Sequence, residues 1–278
     1  MNFFSSFKYY LVRLIEKIPL VQIIIYNYIS YFHFFFPHEK DYYGLKKLIP
    51  INNKKDFIDV GGNIGLSTIG FRKLGYKNRI IIFEPDKDYC IKKLLTLKKR
   101  IPTLKIIKYA LSDKDENKKF YQVYFMKIKM HFLSSFDRSY LLNIIKQVYW
   151  GFGFLFTVKT QNLNLKKFDN ISLNTDPIFI KIDVEGFDHK VIKGMMKTIK
   201  RYKPILLVEL NKENIYEINE LLKKKFIPYR YIFERNYFQK INQSEIKNIH
   251  LNFKRRLNLS LPRNIFFLPK NFNFFYFQ

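Results

Sequence analysis

Acidic side chains and glycines fall at a few places where they could bind a cofactor and remove a proton. Asp59 stands two residues before the glycine-rich turn at 61–65, and Glu84 follows an apolar run about 20 residues later. Lys181 and Asp183 differ by two, so on a strand they share a face and could form an ion pair. Asp183 could accept the proton of a reacting hydroxyl. Lys181 could instead steady a developing oxyanion.

The residues around the glycine turn predict the elements that position it. Asp56–Val60 is mostly apolar and predicts a short buried strand, and Leu66, Ile69 and Leu74 suit one face of a helix. Strand, glycine turn and helix together open a nucleotide-binding βαβ unit. The turn reads G-G-N-I-G, which differs from the G-x-G-x-x-G of dinucleotide sites. A pyrophosphate ligand is therefore not indicated.

Further strands and helices alternate along the chain, which predicts a doubly wound α/β sheet. The additional apolar runs that predict strands are Arg79–Phe83, Leu104–Tyr109, Phe120–Phe125, Pro177–Ile182, Pro204–Val208, Ile227–Phe233 and Asn264–Leu268. The predicted helices between them are Asp86–Arg100, Phe187–Lys200 and Asn214–Lys225. Asn236–Asn258 is rich in Lys and Asn and predicts a surface connection. Asp59, Glu84 and A-L-S-D at 110–113 then lie at the carboxyl ends of consecutive strands, where open sheets bind ligands. Acids there suit a cationic sulfonium cofactor.

These motifs, in this order, resemble the FkbM-type S-adenosylmethionine-dependent methyltransferases. The motifs are D-V-G-G-N-I-G, F-E-P-D at Phe83–Asp86, A-L-S-D, K-I-D-V-E-G and the strand Pro204–Glu209. The resemblance covers about Asp56 to Glu209. It implies a class I methyltransferase fold, a three-layer sandwich around a mostly parallel seven-stranded sheet with an antiparallel strand near its end. It also implies S-adenosyl-L-methionine as cofactor and methylation of hydroxyls on sugars or natural products.

The resemblance assigns parts of the cofactor to particular residues. Those for the methionine part lie in and before the glycine turn: Asp59, Gly61, Asn63 and Gly65. Glu84 would bind the ribose, and Ser112 and Asp113 would border the adenine. Two departures stand out, because Asn164 occupies the place of a frequent acid and Asp188 that of a frequent Glu. Asn164 cannot replace such an acid by charge.

The chemistry of K-I-D-V-E-G allows several roles. Methyl transfer to a hydroxyl needs an aligned acceptor and loss of its proton, and Asp183 is the expected base. Lys181 is its partner, and Glu185 is expected to cap or orient the following helix. Alternatively, Asp183, Glu185 and Glu209 could bind magnesium, although no metal is the favoured prediction. His189 is a weaker candidate base and fits a histidine on the helix surface.

The formal net charge is +27. Such a charge could attract nucleic acid or an anionic surface. The chain is also rich in Lys, Ile, Asn and Phe, with Ala110 as its only alanine, which is typical of an AT-rich genome. A nucleic-acid methyltransferase is an alternative, but D-V-E-G stands where base-modifying enzymes carry another motif. Carbon methylation of pyrimidines needs a cysteine nucleophile, and the single cysteine, Cys90, lies on the cofactor side. A non-catalytic cofactor-binding protein is the other alternative, and the intact glycine turn argues against it.

The beginning of the chain predicts an aromatic helical extension at 1–50, ahead of a methyltransferase domain at 51–278. Residues 126–156 could be a substrate-side insertion. Ile18–Pro37 carries no Lys, Arg, Asp or Glu and has about the length that spans a bilayer. Packing on the domain is favoured, followed by an interfacial membrane contact through 1–37 and then by a transmembrane helix.

The single cysteine, Cys90, excludes an internal disulfide and favours the cytoplasm, with a peripheral position at the inner face of the membrane as an option. The expected partner is a hydroxyl-bearing small molecule or glycan. Nucleic acid is not expected.

Overall fold

A computed structural model describes residues 18–21, 24, 37, 39–87, 89–184, 186–209, 214–246 and 264–274. The chain divides into two compact units. The larger unit comprises residues 33–116 and 164–278, and the smaller unit comprises residues 1–32 and 117–163. Among the described residues, no helix is both long enough and apolar enough to cross a bilayer.

The helices and strands follow one another in chain order. They are α1 (Leu45–Leu48), β1 (Asp56–Val60), α2 (Leu66–Lys73), β2 (Ile80–Phe83), α3 (Cys90–Arg100), β3 (Leu104–Ile107), β4 (Ala110–Ser112), β5 (Glu116–Phe125), β6 (Ile128–Ser135), α4 (Arg138–Val148), β7 (Phe156–Lys167), β8 (Pro177–Ile182), α5 (Asp188–Gly194), α6 (Met196–Tyr202), β9 (Ile205–Glu209), α7 (Ile215–Leu222), β10 (Phe226–Ile232), β11 (Tyr237–Lys240) and β12 (Asn264–Pro269). Short 3-10 segments occupy Lys40–Gly44, Trp150–Leu155, Phe168–Asn170 and Phe233–Arg235.

The larger unit is built on one eight-stranded sheet with the order β11-β10-β12-β9-β8-β1-β2-β3. Strands β3, β2, β1, β8 and β9 are parallel, and β12 runs antiparallel between β9 and β10. The predicted α/β class and the antiparallel strand near the end are confirmed. The expected count of seven strands is wrong, because the sheet is mixed and has an eighth strand.

The extra strand is β11, which lies in the segment predicted as surface connection. It pairs antiparallel with β10, so that Ile232 faces Tyr237 and Tyr229 faces Lys240. Asn236 closes the connection with a positive φ of 50°, a conformation that Asn tolerates better than most residues. The polar composition around this short edge strand hides it from a search for apolar runs.

The central strands are buried along nearly their whole length because both faces of the sheet are covered. Every residue of β1 and β2 is buried. Ile58 and Val60 pack in one apolar cluster, which also contains Val191 of α5, whereas Phe57 packs in a second cluster with Phe71 of α2. The sheet therefore has a separate core on each face. This burial fixes where each strand ends and thus where the loops that follow it begin.

The smaller unit has its own core. Strands β5 and β6 form a hairpin whose turn residues, Met126 and Lys127, both have positive φ. Val123, Met130 and Leu141 belong to its buried cluster. The predicted insertion at 126–156 lies within this unit. The proposed division into 1–50 and 51–278 stays a prediction, and most of the extension lies outside the described residues.

Candidate active site

The loops after β1, β2 and β8 meet at the carboxyl edge of the sheet. The Gly61 amide donates to the carbonyl of Phe83 at 2.9 Å, and the Asp183 amide donates to the carbonyl of Val60 at 3.1 Å. These backbone bonds continue the strand pairing by one residue beyond each strand. The glycine turn and Asp183 are consequently held side by side.

The glycine turn needs residues that accept positive φ. Gly61, Asn63 and Gly65 have φ values of 80°, 46° and 89°. A Cβ on Gly61 would lie 1.9 Å from the carbonyl oxygen of Asp183, which leaves room only for glycine. Gly65 is the residue that precedes α2, and a Cβ there would lie 2.6 Å from Leu97. The turn is thus shaped by backbone, as the sequence predicted.

Glu84 fixes the turn from the neighbouring loop. Its Oε2 accepts the Asn63 amide and its Oε1 accepts the Asp86 amide, both at 2.8 Å. Asn63 in turn accepts the Cys90 thiol on its Oδ1 at 3.2 Å. Burial, together with the charge of Glu84, raises the pKa of the Cys90 thiol, so Cys90 is a packed thiol. Glu84 therefore joins the turn to the start of α3.

Lys181 is the buried cation of the site. Its ammonium donates to Oδ2 of Asp183 at 2.7 Å, which confirms the predicted ion pair. The Lys181 side chain is 2% exposed and that of Asp183 is 28% exposed. Burial lowers the pKa of Lys181, but the charges of Asp183, Asp59 and Glu39 outweigh burial and hold the pKa above its ordinary value. Asp59 is also the register partner of Lys181 on the neighbouring strand.

Two residues of this cluster come from outside the recognised motifs. Glu39 contributes charge to Lys181, and it accepts the side-chain amide of Asn264 at 2.7 Å. Tyr42 is fully buried, and its hydroxyl shares a 3.0 Å hydrogen bond with Ser67 of α2. Burial and the charges of Glu39 and Asp59 raise the Tyr42 pKa. A single sequence gave no signal for either residue, because the segment before β1 carries no motif.

Ser112 and Asp113 form a separate group after β4. The Ser112 hydroxyl donates to Oδ1 of Asp113 at 3.1 Å. A Cβ on Gly194 would lie 2.0 Å from the Ser112 carbonyl oxygen, so α5 packs closely on this strand end. Their assignment to the adenine stays a prediction, as do the cofactor roles of the glycine-turn residues and Glu84.

Asp188 and His189 begin α5. Asp188 is fully buried; its Oδ1 accepts the Val184 amide at 3.2 Å, and its Oδ2 has no hydrogen-bond partner among the described residues. Burial and the charge of Asp183 raise the Asp188 pKa to about 7. Burial lowers the pKa of His189, whose Nε2 lies 3.8 Å from the Glu217 carboxylate.

The metal alternative gains no support from the part of the chain that is described. No group of three or more His, Cys, Asp or Glu side chains there could hold an ion. Glu185, one of the three ligands considered and a predicted catalytic residue, lies outside the described residues. Its role as a helix cap stays a prediction.

The described site joins an acidic, glycine-lined edge to one ion-paired carboxylate that solvent reaches. A protein-family profile described as the Methyltransferase FkbM domain matches residues 59–247, more than half of the chain. None of the curated proteins matches this sequence.

Solved structures give distant similarities. Methyltransferase FkbM from Methylobacillus flagellatus KT aligns at 16% identity over 66% of this chain and 42% of that protein, with a TM-score of 0.43. The alignment thus spans less than half of that protein's length. The plantazolicin methyltransferase BpumL, solved with SAH, aligns at 10% identity over 96% of this chain and 98% of that protein, with a TM-score of 0.37.

A further similarity is to precorrin-6y C5,15-methyltransferase from Geobacter metallireducens GS-15, at 10% identity over 79% of this chain and 81% of that protein, with a TM-score of 0.35. The family profile includes the glycine turn, Glu84, the A-L-S-D strand and the Lys181–Asp183 pair. The methyl donor is S-adenosyl-L-methionine, as the motifs predicted. This chain belongs to the FkbM family of S-adenosylmethionine-dependent methyltransferases.

Proposed function

We propose that this protein methylates a hydroxyl group of a sugar, a glycan or another small molecule. The observation that carries the proposal is the Lys181–Asp183 pair, which lies beside the Gly61 turn at the carboxyl edge of the sheet, where open α/β sheets bind ligands. Asp183 is a carboxylate within reach of solvent, and the ammonium that holds it is buried. Such a pair suits the removal of a hydroxyl proton.

The residues present fit the cofactor. Gly61 leaves its face of the turn without a side chain, and Asp59 and Asp183 supply negative charge close by. S-adenosyl-L-methionine, when bound, supplies an electrophilic methyl group on a cationic sulfur. A carboxylate at this edge favours a cation, and Glu84 has two acceptor oxygens suited to ribose hydroxyls.

The protein's own part in the reaction is to place the acceptor and take its proton. Asp183 would accept the hydroxyl proton as the acceptor oxygen displaces the sulfur at the methyl carbon, so that the carbon–sulfur bond breaks and the sulfur leaves without its positive charge. Lys181 keeps Oδ2 of Asp183 in place, so Oδ1 is the oxygen available to the acceptor. The close approach of Gly61 to the Asp183 backbone holds the turn and Asp183 together, as the alignment of acceptor and methyl group would require.

We further propose that the protein acts at the cytoplasmic face of a membrane and contacts it through residues 1–37. Its support is the run without Lys, Arg, Asp or Glu at Ile18–Pro37, preceded by Lys8, Arg13 and Lys17. A lipid-linked glycan would then be a suitable acceptor. Tyr and Phe at this density suit the headgroup boundary.

The test is a binding and transfer assay on the purified full chain. Calorimetry with S-adenosylmethionine comes first, followed by methyl transfer to a panel of sugars, glycolipid extracts and RNA. Transfer to a hydroxyl-bearing acceptor that yields a methyl ether is the expected result. Cofactor binding with transfer only to RNA would support the nucleic-acid alternative. The net charge of +27, which could attract RNA, favours that alternative. Binding without transfer to any acceptor supports a non-catalytic role.

A further inference from the structure

The smaller unit exposes an apolar tip, which we define as Met126, Ile128, Phe152 and Phe154. Met126 and Phe154 are 59% and 84% exposed, and Ile128 and Phe152 are 45% and 40% exposed. Large apolar side chains exposed as a group mark an interaction surface more often than single ones do. The tip therefore needs a partner that accepts apolar side chains.

The tip is one structural feature, although its residues come from two segments. Met126 lies in the turn between β5 and β6, and Phe152 and Phe154 lie in the 3-10 segment Trp150–Leu155. The Met126 amide donates to the carbonyl of Leu155 at 3.0 Å, which joins the two segments. The turn and the 3-10 segment therefore lie next to each other, and both carry exposed apolar side chains.

A packed aromatic base holds the tip. The Phe156 ring lies 5.1 Å from the Phe125 ring and 4.9 Å from the Tyr149 ring. Phe125 and Tyr149 are buried in the core of the smaller unit. By contrast, a Cβ added to Gly151 or Gly153 would meet nothing within 4 Å. The exposed Phe side chains thus project from a rigid support on an uncrowded backbone.

The charge of residues 117–163, the segment that carries the tip, favours an anionic partner. Residues 117–163 contain seven Lys or Arg and one acidic residue, Asp137, which is engaged in capping α4. Of the 50 basic and 23 acidic residues of the chain, the other 43 basic and 22 acidic residues lie outside this segment. The difference between the two parts is the scarcity of acidic residues in 117–163, which a genome-wide lysine excess does not explain. Lys127 and Lys129 flank Ile128 directly.

We propose that the apolar tip inserts into the headgroup boundary of an anionic membrane, with the lysines of the smaller unit bound to its phosphates. Exposed aromatic and aliphatic side chains with lysines beside them are a combination that suits interfacial membrane binding. Each lysine near an anionic surface adds attraction, and each apolar side chain adds burial. The four residues of the tip lie outside 1–37, and their membrane contact does not depend on methyl transfer.

The test is co-flotation of the full chain with vesicles, without cofactor. Vesicles of phosphatidylcholine with phosphatidylglycerol are compared with vesicles of phosphatidylcholine alone. We expect binding only to the anionic vesicles, and F152S/F154S should weaken it about tenfold or more, because two apolar side chains no longer insert. The matched control, I51S/L95S, removes two exposed apolar side chains from the larger unit and should bind like the wild type.

The charge contribution is tested separately. K127Q/K129Q should weaken binding and reduce its sensitivity to salt, whereas K98Q/K99Q, at the end of α3, should change it less. Thermal melting confirms that each variant is folded.

Three results would overturn the inference. The first is full-length protein that does not float with anionic vesicles. The second is F152S/F154S that floats like the wild type, which would assign the contact to another surface such as residues 1–37. The third is a loss of methyl transfer in F152S/F154S without any vesicle binding by the wild type, which would assign the tip to the acceptor. None of these results bears on whether the protein binds S-adenosylmethionine.

Discussion

Buried carboxylates lie at both ends of the central strands, and their surroundings differ. At the amino end, Asp56 accepts two bonds from Arg79, at 2.8 and 2.6 Å, one from the Thr175 hydroxyl at 2.7 Å and one from the Asp176 amide at 3.0 Å. At the carboxyl end, Asp188 accepts the Val184 amide through Oδ1, while its Oδ2 has no described hydrogen-bond partner. One carboxylate is saturated and the other is not.

The pKa values follow this difference. Burial raises the pKa of Asp56, but the bonds from Arg79, Thr175 and the Asp176 amide outweigh burial, and the pKa falls below its ordinary value. Burial and Asp183 raise the pKa of Asp188 to about 7. A saturated buried carboxylate stabilises the fold as an anion. An unsaturated one costs stability, and perturbed pKa values of this kind are more frequent at functional sites.

The largest effect is expected for Asp183→Asn, compared with Asp176→Asn. Both residues are ion-paired carboxylates adjacent to β8, at its opposite ends. Asp183→Asn keeps the shape and removes the base, so turnover should fall roughly 10²–10⁴-fold. Asp176→Asn should leave turnover near the wild type. Initial-rate assays check this, with calorimetry to show that cofactor affinity holds in both.

Near-normal turnover of Asp183→Asn would make the pair structural. Attention would then move to Glu185 and His189. Lys181 keeps Asp59 and Glu39 as counter-charges in this variant, so the protein should remain folded.

The next effect is a dependence of stability on pH with opposite signs at the two ends. The pKa of Asp188 is raised in the folded protein, so this carboxyl ionises more readily in the unfolded chain. The free energy of unfolding should therefore fall progressively as the pH rises from about 4 to about 7, by up to about 4 kcal/mol. Asp188→Asn should remove this loss, so its stability relative to the wild type should increase over that interval. Asp56 has a lowered pKa, and its contribution should be lost as the pH falls below about 4. Urea unfolding between pH 3 and 8 measures both, and parallel pH curves for Asp188→Asn and the wild type would contradict the assignment.

Asp56→Asn should cost about 2–4 kcal/mol of unfolding free energy at pH 7, because it removes charge-assisted bonds and leaves Arg79 without its counter-charge. The affinity for S-adenosylmethionine should be unchanged. Urea unfolding and calorimetry on the same preparation separate the two quantities. A loss of affinity without a loss of stability would reverse the roles assigned to the two ends.

The smallest effect is expected for Glu84→Ala, which should weaken S-adenosylmethionine binding by about 1–3 kcal/mol, the scale of a lost hydrogen bond to a charged group. Glu84→Gln is the matched control, since it keeps one acceptor for the Asn63 or Asp86 amide. Its affinity for S-adenosylmethionine should lie between those of Glu84→Ala and the wild type. Calorimetric affinity equal to that of the wild type in Glu84→Ala would remove Glu84 from the cofactor site.

The sequence predicted those parts of the structure that are local. The runs Ile80–Phe83 and Pro177–Ile182 are strands because their residues are buried on both faces. The spacing of Lys181 and Asp183 was enough to predict their ion pair. The expected single helix Phe187–Lys200 is instead α5 and α6, and Gly194 at the junction packs on the Ser112 carbonyl. That packing is a tertiary contact, which helical periodicity does not report.

Non-local contributions to the site could not be predicted. Glu39 and Tyr42 reach Lys181 and Ser67 across more than a hundred and about 25 residues of chain, respectively. Neither stands in a motif, and a buried tyrosine in an aromatic-rich segment resembles any core residue. Their role arises only when the segment before β1 folds against the sheet.

The position of β12 determines when, during translation, the contacts of the site can form. This strand is synthesised after β10 and β11, yet it pairs between β9 and β10. Its first residue, Asn264, donates to the carboxylates of Glu39 and Asp41, which were synthesised over 220 residues earlier. Until Asn264 emerges, β9 and β10 each have an unpaired edge, and Glu39 lacks this donor. A nascent chain can therefore form the glycine turn early, whereas Glu39, one of the charges that act on Lys181, gains its Asn264 donor only after translation has passed the start of β12.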